Sequence, residues 1–178
     1  MKRLFLLALV AIISYSCASV EGEIENWAEN QKKVEELAGK YPSFASLLKS
    51  EAERAAKVKA EADGISDADK KLEKLEEAND IIYSQMARDL SAIQGKIDNV
   101  NKEIDKAMSM KFPSSKINSV NRALEGGRKT IGEAEAIIAA GGTDLASVSQ
   151  KLRDVTGDLI TAAGNISRLT KKPKKKNS

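Results

Sequence analysis

The chain has no histidine, one cysteine, three prolines and an aromatic content of 4% in 178 residues. Each shortage closes a class of function. Without histidine or a second cysteine, the common transition-metal and haem sites lack their ligands. The Ser-His-Asp and Cys-His arrangements of nucleophilic catalysis lack their base. A single cysteine forms no disulfide within a monomer. The scarcity of aromatics, beside abundant Ala, Lys, Glu, Asp, Leu and Ile, disfavours strands and favours helices. No segment reads as a long pocket-forming loop, and functional sites commonly sit on loops held by a scaffold. The expectation is therefore a non-enzyme with no cofactor.

What the chain does contain begins at its start. Lys2 and Arg3 precede an apolar run over residues 4–13, followed by Ser14-Tyr15-Ser16 and the sole cysteine, Cys17. A positive n-region, a short h-region and small residues before a cleavage point make a secretory signal. The ten apolar residues are half of the roughly 20 that a spanning helix needs, so the segment reads as a cleaved address. With Ser16 directly before Cys17, this start resembles bacterial lipoprotein precursors. The resemblance covers residues 1–17 and departs from the usual box at Ser14, where leucine is common, with Ile13 one place further back. It implies cleavage after Ser16, acylation of Cys17 and a place in the bacterial cell envelope. Ala18 stands where an inner-membrane retention Asp would be, so the resemblance favours the outer membrane. Ordinary cleavage after Ser16 or Ala18 would instead give a secreted soluble helical protein.

The charge is divided. Without Lys2, Arg3 and the five lysines of residues 171–178, 22 basic residues face 26 acidic ones, a net of −4. An acidic body ends in a basic tail. The expected organisation is a signal peptide (1–16), a lipidated linker (17–23), a helical bundle domain (24–170) and a basic disordered tail (171–178).

Apolar periodicity predicts helices throughout. Ile24, Trp27, Val34, Leu37 and Tyr41 share one helical face. Gly39 and Pro42 end or kink that helix. Phe44, Leu47, Leu48, Ala52, Ala55, Val58 and Ala62 form the next stripe, with Gly64 as its C-terminal cap. Ser66, with Asp69 three places on, opens a third helix in a capping-box-like start. Its stripe is Leu72, Leu75, Ile82, Met86, Leu90, Ile93, Ile97, Val100, Ile104 and Ala107, and from Ile82 onward its mean step is near 3.5, the coiled-coil value. No proline interrupts residues 66–111, which predicts one continuous helix of roughly 65 Å at about 1.5 Å per residue. A fourth helix spans about 115–139, with Ile117, Val120, Leu124, Ile131 and Ile138 inward and Gly126-Gly127 permitting close approach. Gly141-Gly142 turn the chain. Thr143 caps a fifth helix that carries Leu145, Val148, Leu152, Val155, Leu159, Ala162, Ala163, Ile166 and Leu169.

Short connections imply antiparallel neighbours. The predicted fold is all-α: an elongated antiparallel helical bundle with a projecting two-helix coiled-coil hairpin at 45–87. Ala52, Ala55, Ala56, Ala60 and Ala62 suit its close approach, and both chain ends fall at the opposite end. Trp27, Tyr41, Phe44 and Phe112 read as core.

Three features are candidate sites. Cys17 is the lipidation site. Lys171, Lys172, Lys174, Lys175 and Lys176 form a cluster suited to anionic headgroups, each lysine contributing about 1 kcal/mol near such a surface. Export argues against nucleic acid as its partner. The hairpin at 45–87, whose apolar stripe would lack a third layer, is the expected surface for an envelope protein partner, and self-association would use it too. The acidic pairs Glu35-Glu36, Glu76-Glu77 and Asp67/Asp69 read as solvated faces and not metal sites. The expected function is a lipid-anchored, non-catalytic spacer or interaction module of the envelope. The alternative is a surface-exposed, adhesin-like binding lipoprotein.

Overall fold

The computed structural model describes residues 19–171. These form six α-helices and no strand: α1 (Val20–Lys40), α2 (Pro42–Asp63), α3 (Ala68–Ile82), α4 (Gln85–Met108), α5 (Ser114–Ala140) and α6 (Leu145–Thr170). The all-α reading holds. The chain divides between Ser84 and Gln85 into two compact units. The stretch expected as one bundle domain, 24–170, thus contains two three-helix cores.

In the first unit, α1, α2 and α3 each pack against both of the others. Helix α1 begins earlier than the linker expected at 17–23. Ser19 is its N-cap, its Oγ accepting from the Gly22 N–H at 3.0 Å, and Glu21 and Glu23 in the first turn suit the positive end of the helix dipole. Helix α1 stops at Lys40, and Pro42 opens α2 at a position where a missing N–H costs nothing. Helix α3 is capped by Asp67, whose carboxylate accepts from Lys70 N–H at 3.0 Å, and not by Ser66. The hairpin of α2 and α3 exists, but α1 lies on both helices as a third layer. Leu48, Ala55, Ala62, Leu75 and Ala78 are fully buried as a result. Among the expected small-residue contacts, Ala55 and Ala62 are buried, Ala52 is half-buried, and Ala56 and Ala60 are exposed.

The helix expected over 66–111 is not continuous. Helical backbone ends at Tyr83 (φ −97°, ψ 59°), whose N–H still reaches the Asn79 carbonyl at 3.0 Å. Ser84 then donates its hydroxyl to Glu51 of α2. The expectation that both chain ends share one end of the molecule rested on that continuous helix. The apolar stripe itself is buried except at its first member, Leu72, which is half-buried. From Leu75 through Ile82, Met86, Leu90, Ile93, Ile97, Val100 and Ile104 to Ala107, every member is at most 6% exposed.

In the second unit, α6 packs extensively on α4 and on α5, which meet each other less extensively. Leu90, Ile93, Val100, Leu152, Leu159 and Ile166 fill the core. Gly127 lies where helices crowd: a Cβ there would come within 3.0 Å of Ile166 Cδ1 and 3.3 Å of Val100 Cγ1. Gly141 (φ 57°) and Gly142 (φ 147°) make the expected turn in the left-handed half of backbone space. Asp144, not Thr143, caps α6 by accepting from Ser147 N–H at 3.2 Å. Three stripe residues are exposed against expectation: Ile24 at 42%, Ile117 at 45% and Leu145 at 37%. Each lies in the first two turns of its helix.

Candidate functional site

Most of the expected site residues, Ser16, Cys17, Lys172, Lys174, Lys175 and Lys176, lie outside the described residues. Lys171 is described. It is exposed, directly follows α6, and donates its N–H to the Ser167 carbonyl at 3.1 Å. The hairpin at 45–87 does not present a bare apolar stripe, because α1 covers it. What it presents outward is polar, with Arg54, Lys57, Glu61, Glu73 and Glu76 exposed. Tyr41 and Phe44 are core residues, while Trp27 and Phe112 are half-buried.

Asp67 caps α3, and Glu35, Glu36, Glu76 and Glu77 are exposed. Lys74 binds Glu77 at 2.6 Å. Among the described residues no three acidic, cysteine or histidine side chains converge to hold an ion. No described helix is long and apolar enough to cross a membrane.

Buried polarity is structural. Asn79, 8% exposed, donates to the Glu23 carbonyl at 2.9 Å and to Glu23 Oε2 at 2.7 Å, and accepts from Asn30 Nδ2 at 3.1 Å. It ties α3 to α1. In the second unit Asp89, 6% exposed, accepts from Gln85 Nε2 at 2.8 Å and from Arg153 at 3.0 Å, tying α4 to α6. Sequence periodicity passed over both, since polar residues interrupt an apolar pattern instead of marking it. Glu103 Oε2 is buried without a hydrogen bond, 3.6 Å from the Lys106 ammonium.

Displaced proton affinities occur at surface pairs of the first unit. The hydrogen bond between Glu29 and Lys33 lowers the carboxyl and raises the ammonium. Lys33 also lies 5.5 Å from the Tyr83 ring centroid. The hydrogen bond to Glu77 raises Lys74. These pairs are exposed and carry no catalytic geometry.

The concavities are shallow grooves. One, of about 290 Å³, lies between α1 and α2, where Ala38, Gly39 and Ala52 leave space. Others follow the α5–α6 face. The groove past Gly126, Thr130, Asp158 and Thr161 holds about 260 Å³. Its threonine hydroxyls donate to their own helix carbonyls, Thr130 to Gly126 and Thr161 to Gly157. Nearer the ends of the helices, Ser119, Arg122, Asn165 and Arg168 line a further groove.

The charge is unequal between units. Residues 19–84 hold 16 acidic and 10 basic side chains; residues 85–171 hold 10 acidic and 13 basic. Within the second unit, Arg128 reaches Met108 Sδ at 3.4 Å, and Arg122 shares a groove with Arg168. The short connection 109–113 joins the end of α4 to the start of α5, and the groove of Ser119, Arg122, Asn165 and Arg168 sets the end of α6 beside the first turns of α5. Segments 96–129 and 159–171, which converge there, hold ten basic and four acidic residues; the rest of the unit holds three and six. The signal was present in the sequence, since neither 106–124 nor 159–178 contains an acidic residue. The net charge of the whole body hid it. Comparison with protein-family models, with curated proteins and with solved structures finds no match to this chain.

Proposed function

We propose that the chain is the precursor of a lipid-anchored, non-catalytic protein of the bacterial envelope, a helical spacer or interaction module held to the outer membrane through Cys17. The observation that carries this reading is the order of residues 1–17: two cations, ten apolar residues, three small or weakly polar residues, and the only cysteine. The start of the folded body supports it. Helix α1 begins at Val20 with its cap on Ser19, so Ala18 alone separates the cysteine from the first capped helix. An acylated Cys17 would thus hold the first unit close to the bilayer. The lysines at 171, 172, 174, 175 and 176 add attraction to anionic headgroups. Protein partners and self-association belong to the same reading. A partner at 45–87 would meet exposed charge such as Arg54 and Glu76.

The test is Cys17→Ala in cells given a labelled fatty acid. The wild-type chain is expected to take up label and to fractionate with membranes; the variant is expected to lose the label and become soluble. A variant labelled as strongly as wild type would sink the reading. An unlabelled wild type that is recovered outside the cell would replace it with a secreted soluble protein.

A further inference from the structure

We propose that the basic end of the second unit docks on the surface of an anionic phospholipid bilayer, through cations and exposed apolar side chains that share that end. The inference rests on the exported, envelope reading above, which supplies the bilayer. It adds a folded contact surface that residues 1–17 and the tail do not contain.

Three independent features converge there. The first is uncompensated charge. Among the described residues Lys111, Lys116, Arg122 and Arg168 form no ion pair, and Lys171 follows at the end of α6. The second is apolar exposure among these cations. Met108 is 62% and Ile117 is 45% exposed, with Phe112 half-buried in the turn between them. The third is a groove of about 480 Å³ between α5 and α6 in which Arg122 and Arg168 stand with Ser119 and Asn165. Two guanidinium groups beside neutral hydrogen-bonding side chains suit the phosphate of a lipid headgroup.

The combination selects the ligand. A soluble polyanion would use the charge and leave Met108 and Ile117 in water. A bilayer offers phosphates at the depth of the lysines and hydrocarbon beneath them, so both kinds of side chain gain. Two copies of this end would repel each other, because an isologous contact sets like charge against like. The acidic first unit of another copy is the rival occupant.

The test uses residues 18–178, which retain every helix, cap and buried contact described above and have no acyl chain. Binding is measured by flotation with vesicles of equal phosphatidylglycerol and phosphatidylcholine, and with pure phosphatidylcholine, in 0.1 M salt. The chain truncated after Lys171 is expected still to prefer the anionic vesicles. In that background Lys111→Glu with Lys116→Glu should lower binding more than tenfold, since each lysine near an anionic surface changes it about fivefold. Met108→Ser with Ile117→Ser should lower it severalfold. Lys32→Glu with Lys57→Glu, in the first unit, should change it less than twofold. All substituted residues are exposed; if circular dichroism shows the glutamate pair unfolded, Lys111→Gln with Lys116→Gln takes its place. Loss of all vesicle preference on truncation would overturn the proposal and leave the tail alone as the anionic contact. Equal losses in the control pair would reduce the effect to net charge. No effect of the serine pair, together with equal affinity for polyphosphate, would make the surface a general polyanion site. Salt-sensitive dimers abolished by the glutamate pair, without vesicle binding, would assign it to a second copy. None of these outcomes depends on Cys17, so failure here and failure of fatty-acid labelling are separable.

Discussion

The two three-helix units meet the same packing problem with different helix pairings. In the first, all three helix pairs pack on one another, Ala55, Ala62 and Ala78 are fully buried, and the buried Asn79 bridges two helices. In the second, α6 carries most of the packing, and Leu90, Ile93, Leu152, Leu159 and Ile166 dominate the core. Small residues bring helices close, and each contributes little apolar area. Branched aliphatics contribute roughly 1.5–3 kcal/mol each when fully buried and hold helices further apart, except where Gly127 restores a close approach. Both cores nevertheless mix the two kinds of residue, with Phe44, Leu48, Leu75 and Ile82 buried in the first and Ala87, Ala107, Ala134, Ala162 and Ala163 in the second. Each also has a buried polar tie between helices, Asn79 in one and Asp89 in the other. The difference lies in how evenly the helix pairs share the packing. The surfaces diverge too, one with a net excess of acidic residues and the other basic at one end.

The largest way to break this contrast is to charge the second core. Ile93 is 0% exposed in the middle of α4. Ile93→Asp places a carboxylate there with no partner, at a cost of several kcal/mol or with forced protonation. Hydrogen exchange should show protection lost across α4, α5 and α6. A melting curve equal to wild type would remove the stripe from the core. Equal loss of protection in α1, α2 and α3 would show that the two cores are not energetically separate.

A smaller effect tests the polar tie of the first unit. Asn79→Ala removes the bonds to Glu23 and strands Asn30, which should cost about 1–3 kcal/mol, the range for unsatisfied partly buried groups. The urea midpoint for α1–α3, followed by exchange, should fall while that of α4–α6 holds. A loss below about 0.5 kcal/mol would mean that water replaces Asn79 freely and that the first unit rests on apolar contact.

The contrast also marks how far the sequence could be read. Which face of each helix is buried was legible nearly everywhere, because periodicity reports angular position. Axial position is not encoded in it. Ile24, Ile117 and Leu145 continue their apolar stripes and are exposed, each near the start of its helix. The break at Tyr83-Ser84 was hidden for a related reason. Ile82, Met86 and Leu90 continue the stripe in phase, with no Pro or Gly to mark a stop, and the interruption is fixed by a tertiary contact from Ser84 to Glu51. The one local hint was the gap between Leu75 and Ile82, where Asn79 is buried. Capping residues were misplaced by one position at Asp67 and at Asp144, since neighbouring Ser, Thr and Asp compete for the same N–H groups. At the basic end the cations were visible as letters, but only the convergence of three helix ends makes them a surface.

The smallest effect concerns pH, and it belongs to the first unit alone, because Glu29, Lys33 and Lys74 all lie there. The hydrogen bond from Lys33 holds the Glu29 carboxyl below its ordinary 4.5. Its contribution is present above that value and is lost as pH falls through the depressed one. Lys33 and Lys74 are raised above 10.5 by their bonds to Glu29 and Glu77. Their contributions are present below 10.5 and fade as pH rises through the raised values. Both pairs are well exposed, with Lys33 at 42% and Glu29 at 64%, so water and salt screen them heavily. Glu29→Gln should lower the melting temperature of the first unit at pH 7 by no more than about 2 °C. That difference should vanish on acidification as the wild-type carboxyl takes its proton. Lys74→Met should show the mirror behaviour, a small difference at pH 7 that closes only at strongly alkaline pH. Neither substitution should move the melting of α4–α6 at any pH. A Glu29→Gln difference of equal size at pH 3 and pH 7 would mean that the contact with Lys33 is neutral packing, and the first unit would then lose the pH dependence assigned to that pair.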